Sequence, residues 1–422
     1  MSITDTTVTE TTRIGTSTAD DAIPDLLALD SADAVITNAR RLLPVVAEEA
    51  DEMERIARLS PRLTTAFRRA GVFQMAFPAF RGGLEMGLRQ QLDVVAEVAT
   101  VDASAAWNIG VLNATGYYAA RLGDEAYAEL YPTRDMPTSG SFHPRGRAQV
   151  VPGGYLVSGH WDWGSGSYVA EHVIGSANVF DGDQPVIGPT GKQLHLGIWL
   201  PREAITVCDN WQVLGVSGSG STSYEIIEPA FVPASHSFDR DADYDQNKDP
   251  LNRSVHVSHF ALTGVALGVA RHLVDITADI ISARGVSHLD AATLQRFGEA
   301  IAEVDFAYAG SRHVADITDD TIFSDRVLTP TAQARMTGVN AVAGLALRRV
   351  VDLTTDLARA GFIRDVDPMQ RVLRDAYGAL AHAGTRRDHL GALARAGLSS
   401  GGVDTSGMMP AERARELFAE RG

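Results

Sequence analysis

Cysteine is almost absent from this chain of 422 residues: Cys208 stands alone. One thiol excludes an internal disulfide framework and a zinc or iron–sulfur centre built on a set of cysteines. Basic residues are also scarce. The 37 Lys and Arg face 53 Asp and Glu, and the formal net charge is -16 at pH 7. Such a surface repels phosphate backbones, which argues against nucleic acid as a partner. No apolar run approaches the ~18 residues of a membrane span, so no transmembrane helix and no membrane partner are expected. The opening stretch MSITDTTVTETTRIGTSTADD has no apolar core and does not read as a secretory signal. What is present, 45% hydrophobic and 21% charged residues, describes an ordinary globular protein with two or three packed units. A cytoplasmic enzyme or binding protein is the expectation.

The hydrophobic period changes twice along the chain. Residues 1–22 are polar and read as a disordered tail. Residues 23–135 form an N-terminal helical domain. Val35, Ala39, Leu42, Leu43, Val46 and Ala47 recur at helical spacing, Ser60-Pro61 marks a helix start, and Gly71 marks its end. Residues 136–242 read as a central β-domain of short strands and turns, such as the Pro152-Gly153-Gly154 turn, and suggest a small antiparallel barrel. Residues 243–400 carry four long helical patterns and read as a C-terminal four-helix bundle. Residues 401–422 read as a tail with a short helix. The fold class is α+β.

Several stretches invite a chemical reading. GSGS at 164–167 and SGSGSTS at 217–223 match neither a phosphate loop nor a dinucleotide fingerprint, and GVSGSG lies within β-structure rather than at a nucleophile elbow. They are either barrel turns or places where a flat ligand approaches the backbone. Trp161 and Trp163, two apart, share a face if the strand is regular, and would wall one side of such a pocket. His256 and His259 lack an accompanying Glu-x-x-His, so no metal is expected. His382, amid Ala and Gly on a predicted helix, is a core histidine or a donor facing a cavity. Arg284, Arg371 and Arg374 are surface ion pairs or phosphate clamps. Cys208 reads as a buried strand residue.

Four segments then resemble one family in register. SGSFHPRGRAQVVPGGYLVSGHWDWGSGS carries Phe142, Pro144, Gly146, Ala148, Gly153, Gly154, Gly159, Trp161, Ser165 and Gly166. DNWQVLGVSGSGSTSYEIIEPAFVP carries Trp211, Gly215, Gly218, Gly220, Ser221, Phe231, Val232 and Pro233. DASAAW ends in Trp107, and RVLRDAYGALAH ends in His382. Together they resemble the flavin-dependent monooxygenases built on the acyl-CoA dehydrogenase fold. These are the oxygenase components of two-component systems, and include 4-hydroxyphenylacetate and steroid-phenol hydroxylases, dibenzothiophene monooxygenases and amino-sugar nitrososynthases.

The resemblance implies reduced FMN or FAD as cofactor, O2 as co-substrate, and a separate NAD(P)H flavin reductase. It implies a homotetramer, and a flavin C4a-hydroperoxide that hydroxylates, or N- or S-oxygenates, an aromatic or polycyclic small molecule. Ser165 would lie near flavin N5 and His382 at the oxygen adduct, as the catalytic pair. Trp107, Trp163, Gly166, Ser217, Gly218, Ser219, Ser221, Arg284 and Arg371 would hold the cofactor. Trp107, Asn113, Tyr117, Ser141 and His382 would border the substrate. Thr115 and Tyr118 share the helix of Asn113, which offers no His or Lys. The chain departs from the family after His382, where Arg386 is open to two readings, an anion contact or a surface ion pair. The alternative on this fold is an acyl-CoA dehydrogenase-like oxidoreductase. That chemistry needs a carboxylate base, and YGALAHAG has none. A non-catalytic binding protein on the same scaffold is the third reading.

Overall fold

The computed structural model describes residues 23–240, 242, 249–253, 257–324, 326 and 328–399. The expected tails at 1–22 and 401–422, and His256, lie outside the described residues. The helical start and stop signals act as the sequence implies. Ser31 accepts the Ala34 N–H at the head of α1 (Ala32–Arg41). Pro44 opens α2 (Leu43–Ile56), where a missing N–H costs nothing. Ser60 caps α3 (Pro61–Ala70), and Gly71 ends it at φ 79°. After α4 (Leu88–Ala99), Asp102 caps α5 (Ala103–Leu112) by accepting the Ala105 N–H at 2.7 Å. The short α6 (Thr115–Ala119) and α7 (Asp124–Leu130) lead to the strands.

The strands are β1 (Thr138–Val151), β2 (Gly154–Trp161), β3 (His172–Asp181), β4 (Gln184–Pro185), β5 (His195–Leu200), β6 (Thr206–Val207), β7 (Tyr224–Pro233) and β8 (Ser237–Asp239). Their order is β6-β7-β2-β1-β3-β5-β8, with β4 on β3. The sheet is mixed, which corrects the antiparallel barrel expected. β2 returns antiparallel on one side of β1, whereas β3 pairs parallel with β1 on the other. Residues 162–171 must therefore cross over β1. Ser139 pins this crossing by donating its hydroxyl to the Ser165 carbonyl at 2.8 Å.

One face of the sheet closes around Trp161. Its indole stacks on Tyr224 at 5.5 Å between centroids and donates to the Ser176 carbonyl at 2.8 Å. Glycines from three strands make room for it. A Cβ on Gly146, Gly159 or Gly175 would lie 2.5, 2.9 and 2.7 Å from Trp161 Cζ2. Trp163 behaves differently, so the common face expected for the two indoles does not exist. β2 ends at Trp161, and Trp163 turns out of the strand at φ 65° with 67% of its surface exposed.

Among the described residues five further α-helices follow: α8 (Thr263–Ser282), α9 (Ala291–Ile322), α10 (Pro330–Ala358), α11 (Pro368–Ala381) and α12 (Asp388–Ser399). Contrary to the reading of its composition, His259–Ser282 is long and apolar enough to cross a membrane. It is mostly buried inside the protein, with Gly264 and Gly268 set against the backbone of α4 and the far side against α10. The fourth long helix is in fact two. At His382 the backbone turns extended, with ψ 139°. There the Thr385 hydroxyl donates to the carbonyls of Leu380 and His382 and replaces helical N–H donors.

The glycine slot gives a direct test. Gly146→Ala would push a methyl group into the Trp161 ring, an overpacking that costs about 1–3 kcal/mol. Thermal unfolding should show a lower midpoint, and the near-ultraviolet signal of the Trp161–Tyr224 stack should weaken. An unchanged midpoint would mean that the slot is not tight.

Candidate active site

A cavity of about 630 Å³ opens where α5, the crossing segment, the 211–221 turn and α11 meet. Its inner wall holds Trp107, Val111, Tyr118, Phe142, Leu262 and His382. Its mouth is edged by Trp163, Trp211, Val213, Leu214 and Tyr377, and all but Trp211 are exposed. Trp163 and Trp211 meet edge to face at 5.9 Å. Among the described residues, the lining contains no Asp, Glu, Lys or Arg. An exposed apolar rim of this kind marks a binding site rather than a packing accident.

His382 owes its place to the helix break. Its ring meets Trp107 edge to face at 5.2 Å. Its Nδ1 accepts the Gly384 N–H at 3.1 Å, capping the short turn Ala383–Thr385. A backbone N–H only donates, so Nδ1 carries no proton and the neutral ring holds its hydrogen on Nε2. Burial lowers the pKa of His382 below the usual histidine value, and His389 adds to the effect. At neutral pH the ring is therefore an uncharged donor through Nε2.

Opposite lies a chain of hydroxyls. The Trp107 indole N–H donates to Ser165 Oγ at 3.1 Å. Ser165 Oγ lies 2.7 Å from Ser221 Oγ, which lies 2.8 Å from Ser219 Oγ. If Ser221 donates to Ser165, the Ser165 hydrogen is free to face the cavity.

The structure thus gathers Trp107, Trp163, Ser165, Ser221 and His382 on one cavity. Gly166 of the crossing segment and Ser217, Gly218 and Ser219 of the supporting turn stand just behind it. Gly166 donates to the Ser219 carbonyl, Ser217 accepts from the Trp211 indole, and Gly218 accepts from the Asn108 amide. Other expected contacts lie away from the lining. Asn113 and Tyr117 are buried in a network on Gln91, and burial raises the Tyr117 phenol well above its ordinary range. Ser141 gives its N–H to the Tyr224 hydroxyl. Arg284 donates to the Leu357 carbonyl, and Arg371 pairs with Asp51 and Glu54. Arg386 pairs with Asp388 in the open, the surface reading of the two left standing. His143 and His259 line the cavity although nothing in their spacing suggested it.

Sequence reasoning also passed over Asp375. This buried carboxylate accepts the Val216 N–H at 2.6 Å and so docks α11 on the Gly/Ser turn. Burial pushes its pKa up to about 7, and the buried Asp102 carboxylate adds to the rise. Asp102 is itself raised to about 6 by burial, with Arg371 acting against the shift.

The N-terminal domain model of acyl-CoA dehydrogenases matches residues 30–133. The chain is 25% identical over 367 residues to the oxygenase subunit HsaA of a flavin-dependent monooxygenase from Rhodococcus jostii, covering 81% of this chain and 92% of that one. It is 28% identical over 236 residues to indole-3-acetate monooxygenase of Pseudomonas putida, covering 55% and 58%. Among solved structures, XiaF from Streptomyces sp., in complex with FADH2 and glycerol, superposes with a TM-score of 0.79 at 20% identity, over 87% of this chain and 96% of that one. The fold is acyl-CoA dehydrogenase-like. The curated relatives include the oxygenase subunit of a flavin-dependent monooxygenase, the oxygenase component of p-hydroxyphenylacetate 3-hydroxylase and the oxygenase component of an FADH2-dependent resorcinol hydroxylase.

Asp375→Asn tests the docking bond, because the amide keeps an oxygen for Val216 but cannot ionise. The Asp375 carboxyl titrates near 3.8 when unfolded and near 7 when folded. Between these values the folded state holds the extra proton, so this stability is full at low pH and lost as pH rises through about 7. The variant lacks that loss. Its thermal midpoint relative to the native chain should therefore rise from about pH 5 to about pH 8. A constant difference over that range would refute the assignment.

Proposed function

We propose that this chain is the oxygenase component of a two-component flavin-dependent monooxygenase, supplied with reduced FMN or FAD by a separate NAD(P)H flavin reductase. The residues suit such a cofactor. Flat walls at Trp107, Trp163, Trp211 and Tyr377 match a planar ring, and the Ser165–Ser221 hydroxyls offer hydrogen bonds at its edge. Reduced flavin supplies the two electrons with which O2 is activated for transfer of one oxygen atom to an aromatic or polycyclic molecule.

The observation that carries this reading is the pairing of an uncharged Nε2–H donor on His382 with a lining free of carboxylates among the described residues. An acyl-CoA dehydrogenase must take an α-proton, and among those residues no carboxylate stands ready for it. Oxygen transfer has a different need, a donor that steadies oxygen in a dry pocket. In this reading His382 and Ser165 are the catalytic pair. Trp107 orients both, meeting the imidazole edge to face and donating its N–H to Ser165. Val111, Leu262, Tyr118 and Phe142 exclude water and receive the substrate.

The Ser217–Ser221 turn and Gly166 support the cofactor side from behind. The described lining offers no Lys or Arg, so the flavin phosphate would be met outside it. A homotetramer formed through the C-terminal helices belongs to the proposal, supported by the exposed apolar side chains Ile301 and Phe306 on α9. So do a cytoplasmic location and the division into 23–135, 136–242 and 243–400.

His382→Ala removes the donor but leaves the walls. Reduced flavin should bind with near-native affinity while the yield of oxygenated product falls about 100-fold. The O2 consumed should appear as hydrogen peroxide instead. An unchanged ratio of product to peroxide would remove His382 from the reaction.

A further inference from the structure

We propose that His160, Glu225 and Cys208 form a zinc site on the outer face of the sheet, beside the cavity but separate from it. The side-chain alternation puts them there. Trp161 and Tyr224 point into the sheet core, so their strand neighbours His160 and Glu225 point to the opposite face, beside Asp162 and the buried Ser223. His160 and Glu225 are direct cross-strand partners of β2 and β7. Cys208 follows β6 and donates its N–H to the Ser223 carbonyl, in line with the same row. The ligand atoms of His160, Glu225 and Cys208 all lie within 4.8 Å of one another.

The set has the chemistry of a zinc centre. Imidazole, thiolate and carboxylate are the three zinc ligand types, and three protein ligands leave a fourth position for water. His160 Nδ1 stands 3.1 Å from Glu225 Oε2. That is close to the separation of about 3.3 Å that a tetrahedral zinc imposes on a nitrogen and an oxygen. The opposite ring nitrogen, Nε2, lies 3.2 Å from Asp162 Oδ1, and Asp162 accepts the Ser223 hydroxyl at 2.9 Å. A ligating histidine characteristically gives its second N–H to a carboxylate, and Asp162 fills that role here. Without metal, the proton between Nδ1 and Glu225 holds the cluster together. Zinc would displace that proton and the one on the Cys208 thiol.

The location couples this site to the cavity. Asp162 immediately precedes Trp163, and the Cys208 carbonyl accepts the Thr222 hydroxyl next to Ser221. An ion here would clamp the ends of β2, β6 and β7, which carry the rim pair Trp163 and Trp211 and the Ser221 turn.

The test uses the full chain freed of metal by a chelator. Cobalt(II) titration should give one ion per chain, with a thiolate-to-cobalt charge-transfer band that zinc abolishes. Cys208→Ser should lose the band and bind zinc at least about tenfold more weakly by calorimetry, with its thermal midpoint and flavin affinity retained. Asp162→Asn should weaken zinc binding by about 10–100-fold. Equal zinc affinity in the native chain and Cys208→Ser would overturn the site, as would cobalt binding without the thiolate band.

Discussion

The hydrogen bond from the Val216 N–H to Asp375 governs the geometry of the cavity. Val216 is a β-branched residue held at φ 49°, where such side chains are strained. Asp375 holds it there from α11. Gly378, one turn later, leaves space for its methyl groups, since a Cβ at that position would stand 2.7 Å from Val216 Cγ2. The helix and the turn therefore occupy one position together or neither does. The turn in turn grips α5 through the Asn108 amide and the Gly218 carbonyl. His382 rides on α11, Ser221 on the turn and Trp107 on α5. Their mutual distances are consequences of this lock.

The second determinant is the crossing over β1. Because β3 pairs parallel to β1, the chain must pass from one side of β1 to the other directly after Trp161. That passage carries Trp163, Gly164, Ser165 and Gly166 across the end of the sheet that meets α5. An antiparallel meander would have returned these residues in a tight hairpin, away from α5. The two tryptophans divide the work accordingly. Trp161 fills a slot of three glycines and anchors the sheet, while Trp163 leaves the strand and faces outward.

Much of this was legible in the chain itself. Ser31, Ser60, Pro61 and Gly71 act locally, so their spacing reports their structure. The helix–strand–helix order follows from a change of period that needs no tertiary knowledge. The convergence of Trp107, Ser165, Ser221 and His382 came only through family resemblance. Nothing local joins Trp107 to Ser165, 58 residues further on, or Ser165 to Ser221, another 56 residues on. What stayed hidden depends on contacts across elements. Asn113 and Tyr117 share a helical segment with cavity residues, yet face Gln91. The parallel pairing of β1 and β3 is invisible because both are alternating strands whichever way they run. The break at His382 depends on where the Thr385 hydroxyl points. The cluster of His160, Glu225 and Cys208 depends on strand register.

The electrostatics of the cavity follow from these same constraints. Its described lining has no Asp, Glu, Lys or Arg, so an ion entering it would give up hydration with none of these charges in return. A protonated His382 would meet that penalty, and it would also lose its bond from Gly384, because a protonated Nδ1 cannot accept. Both effects favour the neutral ring, and both come from the helix break that places it. The break therefore does more than aim the imidazole. It selects the tautomer, keeps the ring uncharged and leaves Nε2–H as the donor beside Trp107. A histidine in mid-helix, as the sequence pattern suggests, would have had no backbone N–H to select that tautomer.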